Sequence, residues 1–429
     1  MKAQATWFGH PRGLTVLFLT NMWEQFSYYG MRALLVYYMT KQLMLGQAHA
    51  SFVYGAYTAC AYFTPILGGV LADRVLGKRR AIVIGASVMA AGHFMMAFDS
   101  LFYLALATIA LGNGLFLPSL PSQVGDLYAR GDARRGWAFN VYYVGVNIGG
   151  FLAPLICGTV GELYGWHYGF GLAGIGMLVG LLIYVAGQRH LPPELPRADA
   201  AGGEPPRGLG RQTVLVLLGV GLAVTVFRAA YEQVGNTVAL WADTGVDRQA
   251  GGVEIPMTWF QSLNPLFVML MTPPLLAWWH RRAARGVDQA PMRRMACGAL
   301  IVAGAYLLLA AVNWQGGSSW IWLALFFLVL TFGELLILPT GLGLFARLAP
   351  RHLGSTTVAA WFLVTFAGSL SAGLVGGLWS RMEHAAFFAL LALLAALSAA
   401  MLWRLHAPMQ RAEPANTDTD TAAAAAANA

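Results

Sequence analysis

Apolar residues run along this chain in blocks close to or above the roughly 20 residues that cross a bilayer's hydrocarbon as a helix. The blocks are Gly13–Met39, Ser51–Leu71, Ala81–Phe98, Phe102–Leu120, Trp137–Val160, Tyr168–Ala186, Thr213–Trp241, Met257–Trp279, Ala296–Val312, Trp320–Phe345, Ser355–Leu378 and Ala385–Leu405. That pattern predicts twelve transmembrane helices, with bends in the Gly- and Pro-rich fourth, fifth and tenth. The first block does not read as a cleavable signal. Its apolar part is too long, it holds Glu24 and Arg32, and no small-residue cleavage site follows. The one long polar stretch, Arg189–Arg211, contains five prolines and parts the spans six and six. The expected organisation is therefore a helical half over 1–188, a linker over 189–211, a second half over 212–406 and a disordered tail over 407–429.

Composition agrees with this picture. Only 11% of the 429 residues are charged, against about 25% in a soluble domain. The fold class expected is an all-α polytopic membrane protein. Three cysteines, Cys60, Cys157 and Cys297, all lie inside apolar blocks and read as small packing residues, so a disulfide scaffold is excluded. A net charge of +8 raises the question of nucleic acid, and the placement of the charges answers it. Of 27 Lys and Arg, 22 fall on the side of the chain ends and only Lys41, Arg248 and Arg381 on the other. This asymmetry predicts cytoplasmic termini. It accounts for the basic balance without a nucleic-acid partner; the partner it requires is the lipid bilayer.

The remaining cations, Arg32 and Arg228, lie inside spans, as do Glu24, Glu232 and Glu334. Intramembrane charge is expensive and normally faces a bundle interior or aqueous path. On a helical wheel Asn21, Glu24, Gln25, Tyr28 and Arg32 share one stripe of the first span. Two readings compete for it: a satisfied network within the helix, with Glu24 bonded to Tyr28, or the lining of a central path. Glu232 follows Arg228 by four residues, which suits either a static salt bridge or a proton-coupled pair. No metal, nucleotide or nucleophile motif occurs in a sensible context, so neither a cofactor nor an enzymatic activity is expected.

Longer motifs then become recognisable. The runs His10-Pro11-Arg12-Gly13 and Asn21-Met22-Trp23-Glu24-Gln25-Phe26-Ser27-Tyr28-Tyr29-Gly30-Met31-Arg32 resemble the first helix of proton-coupled oligopeptide transporters, a branch of the major facilitator superfamily. The resemblance continues through Tyr62–Gly69, Ala72–Arg80, Gly112-Asn113-Gly114, Val146–Gly149, Glu232-Gln233, Trp259–Pro265 and Glu334 with Pro339. This chain departs from the family pattern at Asn21, where a glutamate is usual. It departs again at Gln25 and Leu117, where the family has cations, and at Arg228, where it has a tryptophan. The 23 residues Arg189–Arg211 are also too few for the two extra helices of many bacterial members.

The resemblance implies a major facilitator fold and import of di- and tripeptides by proton symport across a bacterial inner membrane, with short peptides and protons as partners and no obligate protein partner. The expected proton-coupling groups are Glu24, Glu232 and Arg228. With the usual neighbours of Glu24 missing, Glu24 is the favoured carrier, because Arg228 stabilises the charged form of Glu232. Arg32 is expected to take the peptide carboxylate through a bidentate fork, and Glu334 the ammonium with Asn147 and Asn264. Tyr28, Tyr29, Tyr38 and Tyr62 would line the pocket. Asp73 and Arg74 would serve the gate, with Asp73 capping the start of the eleventh span. The competing functions are a facilitator or antiporter of another small zwitterionic or drug-like solute, and a peptide sensor without net flux.

Overall fold

The computed structural model describes residues 6–7, 9–129, 132, 134–194, 211–285, 290–316, 319–348 and 354–409. Most of the expected linker (195–210) and tail (410–429) lies outside these residues, as does the loop 349–353 leading into the eleventh span. Among the described residues the apolar blocks become twelve long helices. In the first half they are α1 (Arg12–Tyr37), α2 (Gln47–Leu71), α3 (Lys78–Met95), α4 (Phe102–Asp126), α5 (Arg134–Ala153) and α6 (Trp166–Gly187). In the second they are α7 (Arg211–Tyr231), α8 (Trp259–Ala284), α9 (Pro291–Trp314), α10 (Trp320–Leu348), α11 (Gly354–Gly376) and α12 (His384–Arg404). Two short antiparallel β pairs, at Thr6–Pro11 and Gln249–Glu254, lie outside the helical bundle.

Nine of the helical runs among the described residues are long and apolar enough to cross a membrane on length and composition alone. The three that fall short are α1, α3 and α8. Their hydropathy is diluted by the residues that make them interesting, such as Glu24 and Arg32 in α1 and Gln261 and Asn264 in α8. Prolines sit inside α2, α4, α8 and α10. The fifth block runs past Ala153 through a wide turn at Pro154–Gly158 and a last helical stretch, Thr159–Tyr164. The seventh is not one continuous helix. After α7 the chain tightens through Glu232–Gly235 and resumes at Thr237–Thr244. The break is stabilised from outside, because the Gln233 amide donates to Ala229 O at 3.0 Å and to Ala372 O of α11 at 2.7 Å.

The first six helices pack mainly on one another, α1 against α5 and α6 and α3 against α4, while α9 packs against α10 and α12. The halves meet along α2–α11 and α5–α8. One end of the bundle, the terminal face, carries the start of α1 and the end of α12. The opposite end is here called the far face. Hydrogen bonds joining the halves gather toward the far face. Gln47 reaches Gly376 O at 2.9 Å, Ser51 reaches Asn236 at 2.8 Å, Tyr37 reaches Ala239 O at 2.8 Å, and Lys41 pairs with Asp243 at 2.7 Å. Glycine makes the α2–α11 seam possible. A Cβ on Gly55 would stand 2.4 Å from the Gly373 Cα, so a methyl group there would force the backbones apart. Cys157 is buried as expected, whereas Cys60 and Cys297 are exposed on the apolar helical surface.

Candidate functional site

The charges inside the spans are brought together from both halves. Glu232, at the break after α7, places one carboxylate oxygen against Arg32 of α1 and the other against Arg228 one turn earlier. The three side chains are 14%, 3% and 6% exposed for Arg32, Glu232 and Arg228, so one anion is shared by two nearly buried cations. The i,i+4 spacing of Arg228 and Glu232 is read directly from the sequence. The third member, Arg32, arrives from the other half.

Tyrosines complete the cluster. The Arg32 Nε donates to the Tyr54 hydroxyl at 2.6 Å, and the Arg32 guanidinium lies 5.4 Å from the Tyr54 ring centroid. Arg228 stands over the Tyr62 ring at 5.2 Å. Tyr28 is close enough to interact with both Arg32 and Glu232, and Tyr29 packs edge-on against Tyr28 with centroids 5.4 Å apart. Tyr29 also lies within electrostatic reach of Arg32 and Glu334, so it stands between the cationic and anionic ends of the site. Glu334 of α10 accepts from Asn264 of α8 at 2.6 Å, with Tyr231 within electrostatic reach. Asn264 also donates to Thr331 at 3.0 Å. The arrangement is thus an arginine-rich end and a carboxylate end, with aromatic rings between them.

Several expected members stand elsewhere. Tyr38 does not line the site. Its hydroxyl donates to Asp99 at 2.5 Å, and its ring packs on Phe102, His167 and Phe170 inside the first half. Six residues beyond Arg32, it points about 120° away from it on a regular helix. Glu24 is 1% exposed and accepts from its neighbour Gln25 at 2.7 Å, where a bond to Tyr28 was the alternative. Asn21, 2% exposed, donates to Tyr142 O of α5 at 3.2 Å. The polar stripe of α1 is therefore divided: its lower part is buried toward α5, and only its upper part meets the second half. Asn147 spends its amide on Tyr143 O of its own helix at 3.0 Å and not on Glu334.

At the terminal face Asp73 and Arg74 are exposed at the end of α2. Asp73 borders a cleft of about 1010 Å3 shared with Lys78, Arg80, Asp126 and Glu194. That cleft is formed by the first half and the start of the linker and lies apart from the arginine–glutamate cluster. Lys78 pairs there with Asp126 at 2.6 Å, and Glu194 accepts from the Arg79 backbone at 2.7 Å, so the start of the linker docks on α3. The loop that leads to the expected Asp73 partner, the start of α11, lies outside the described residues.

Tyr54, Tyr231 and Thr331 were not singled out from the sequence. Tyr231 precedes Glu232 directly, but adjacent residues on a helix face different neighbours. Tyr54 lies two turns before Tyr62 in a block with several aromatics, and nothing local marks it.

Comparison with known proteins gives this geometry a context. A family model described as the POT family matches residues 79–201 and 210–390. A "Peptide transporter YePEPT" of Yersinia enterocolitica subsp. palearctica is 33% identical, the match covering 87% of this chain and 88% of that protein. A "Di-/tripeptide transporter" of Lactococcus lactis subsp. cremoris is 30% identical over 95% of this chain and 97% of its own length. A crystal structure of a peptide transporter POT in complex with sulfate has a TM-score of 0.86 at 29% identity, with 94% of this chain and 97% of that chain covered. The two matched segments of the family model take in most of both halves, with Arg228, Glu232 and Glu334 among them, and these relatives match over nearly the full length of the chain: the chain belongs to the POT family, with the fold of a major facilitator transporter.

Proposed function

We propose that this protein imports di- and tripeptides by proton symport through alternating access, across a bacterial inner membrane with both termini in the cytoplasm. The observation that carries the reading is the sharing of Glu232 between Arg32 and Arg228. A short peptide is a zwitterion of variable side chains. A site for many such molecules must hold the two ends and leave the middle loose. Arg32 suits the carboxylate, and Glu334, steadied by Asn264, suits the ammonium. Tyr28, Tyr29 and Tyr62 supply apolar faces with hydroxyl handles between them. The ammonium end of the site belongs to the second half and Arg32 to the first, so a bound peptide draws the halves together.

The same geometry supports a route for the proton coupling. Glu232 does two things at once: it occupies Arg32, and it ties α1 to the seventh span near the far face. A proton on Glu232 removes the anion that both arginines share. Arg32 then becomes available to a peptide carboxylate, and the tie between the halves is weakened. Coupling of this kind acts in both directions, so peptide and proton bind better together than apart. The sequence favoured Glu24 for this role. With Glu24 bonded to Gln25 and Glu232 in direct contact with the arginines, the proposal moves the coupling to Glu232 and leaves Glu24 as a second protonatable group on α1. Arg228 holds Glu232 in place in either state.

The test is uptake of a radiolabelled dipeptide by proteoliposomes, with and without an imposed inward proton gradient. Accumulation above equilibrium only with the gradient is the expected result. Equal uptake in both conditions would remove the symport, and no uptake of any peptide would turn the reading toward the facilitator, antiporter or sensor.

A further inference from the structure

At the far face a second contact between the halves involves Glu162, a residue in no part of the site just described. Glu162 lies in Thr159–Tyr164, the last stretch of the fifth span, and its carboxylate faces the beginning of α8 in the other half. One oxygen accepts from the Met257 backbone N–H at 3.1 Å. The other accepts from the Thr258 backbone N–H at 2.9 Å and from the Thr258 hydroxyl at 2.6 Å. Thr258, which precedes α8, is fully buried and makes no capping bond of its own to that helix.

A helix start leaves backbone N–H groups without partners inside the helix and carries partial positive charge. Most helices satisfy these groups with a residue of their own chain segment. At α8 the Trp259 and Gln261 N–H groups bond to Pro256 O and Thr258 O of the same segment, while those of Met257 and Thr258, just ahead of the helix, are taken by Glu162 of the opposite half. The surrounding contacts fit a made-to-measure junction. Trp259 donates its indole N–H to Thr159 at 2.7 Å, and a Cβ on Gly158 would fall 2.2 Å from the Thr258 hydroxyl oxygen. Only glycine lets the fifth span come this close. The device expected from the sequence at the terminal face, a carboxylate of the first half capping a helix start of the second, is thus present at the far face with different residues.

We propose that Glu162 is a state-dependent cap. It holds α8 against the fifth span while the far face is closed, and the bonds are lost when the halves part there. Glu162 is a positioning residue that sets how often the peptide site opens to the far side. The inference rests on the alternating-access reading above. Removing the cap penalises the closed state selectively, because in the open state the carboxylate has no bond to α8 left to lose. Caps and helix-end charges are each modest, so the far-open fraction should rise by a factor on the order of 10. If the competent state is scarce, apparent affinity for peptide offered from the far side scales with its population, and half-saturation should tighten by up to about 10-fold. Simple damage to the fold would weaken it.

The experiment places spin labels at Phe98→Cys and Trp314→Cys, exposed positions at the far ends of the two halves, in a chain with Cys60→Ser and Cys297→Ser. Distance distributions are compared for Glu162, Glu162→Gln and Glu162→Ala, together with half-saturation for external dipeptide. The expected result is a longer-distance population that grows from Glu162 to Glu162→Gln to Glu162→Ala, with tighter half-saturation in the same order. Thr258→Ala, which removes one of the three bonds, should give a smaller shift in the same direction and serves if Glu162→Ala does not fold. Two populations in the parent that do not change in the variants would overturn the cap alone. One population in the parent under every condition of peptide and pH would overturn alternating access and the cap with it.

Discussion

Replacing Arg32 by alanine tests the carboxylate end of the site. The guanidinium is 14% exposed, is steadied by Tyr54 at 2.6 Å and shares Glu232 with Arg228. The substitution does not leave Glu232 as an unpaired buried charge, since Arg228 remains in contact. The protein should therefore stay folded and monodisperse. What is lost is a charge-assisted bond to the peptide carboxylate. Bonds to charged groups contribute about 1.5–3 kcal/mol, or about 10- to 100-fold in affinity. At micromolar peptide this would abolish measurable uptake. The informative assay is a cycle of two proteins and two ligands: wild type and Arg32→Ala, each competed with a dipeptide and with its C-terminal amide. Amidation should cost wild type about 10- to 100-fold and the variant almost nothing, because the two changes delete the same interaction. An equal amidation penalty in both proteins, or an amide that competes as well as the acid against wild type, would refute the assignment of Arg32.

Tyr54→Phe removes a bond that orients Arg32 without touching the charge, so dipeptide affinity should weaken by about 2- to 10-fold in competition binding, with the melting temperature little changed. In Glu334→Gln the penalty for N-acetylating the peptide should largely disappear, since the anion that distinguishes an ammonium from an amide is gone; an undiminished penalty would place the ammonium elsewhere. Asp73→Asn should slow turnover while leaving equilibrium binding nearly intact, because Asp73 is exposed at the terminal face and far from the cluster; unchanged turnover with collapsed affinity would exclude a gating role.

Helical periodicity and charge placement showed much of this protein in advance. The twelve blocks of apolar residues are long enough that only helices satisfy their backbone groups in lipid, and Arg228–Glu232 is a pair imposed by four-residue spacing. Partners between helices were less legible. A wheel assigns Arg32 a face of α1 but not the residue opposite, so the contact with Glu232 and the support from Tyr54 appear only once α1, α2 and the seventh span are packed. Tyr38 was misplaced for a related reason. It is an aromatic near the stripe in sequence, yet the turn past Arg32 carries it toward Asp99. The break at Glu232–Gly235 was hidden because its Gln233 amide is satisfied by Ala372 of α11, 139 positions away. Nothing local in the sequence marks Glu162, two residues past the fifth apolar block, since its partner Thr258 lies 96 residues later.

The central claim is that the charge state of Glu232 links proton movement to peptide binding at Arg32. Paired counterflow and gradient-driven uptake in proteoliposomes, on Glu232→Gln and Glu24→Gln, tests it most directly. Counterflow needs only exchange of peptide across the membrane, whereas accumulation needs the proton. The account predicts that Glu232→Gln keeps counterflow and loses gradient-driven accumulation, while Glu24→Gln keeps a measurable part of both. Accumulation that survives in Glu232→Gln and vanishes in Glu24→Gln would contradict it and return the coupling to the first helix.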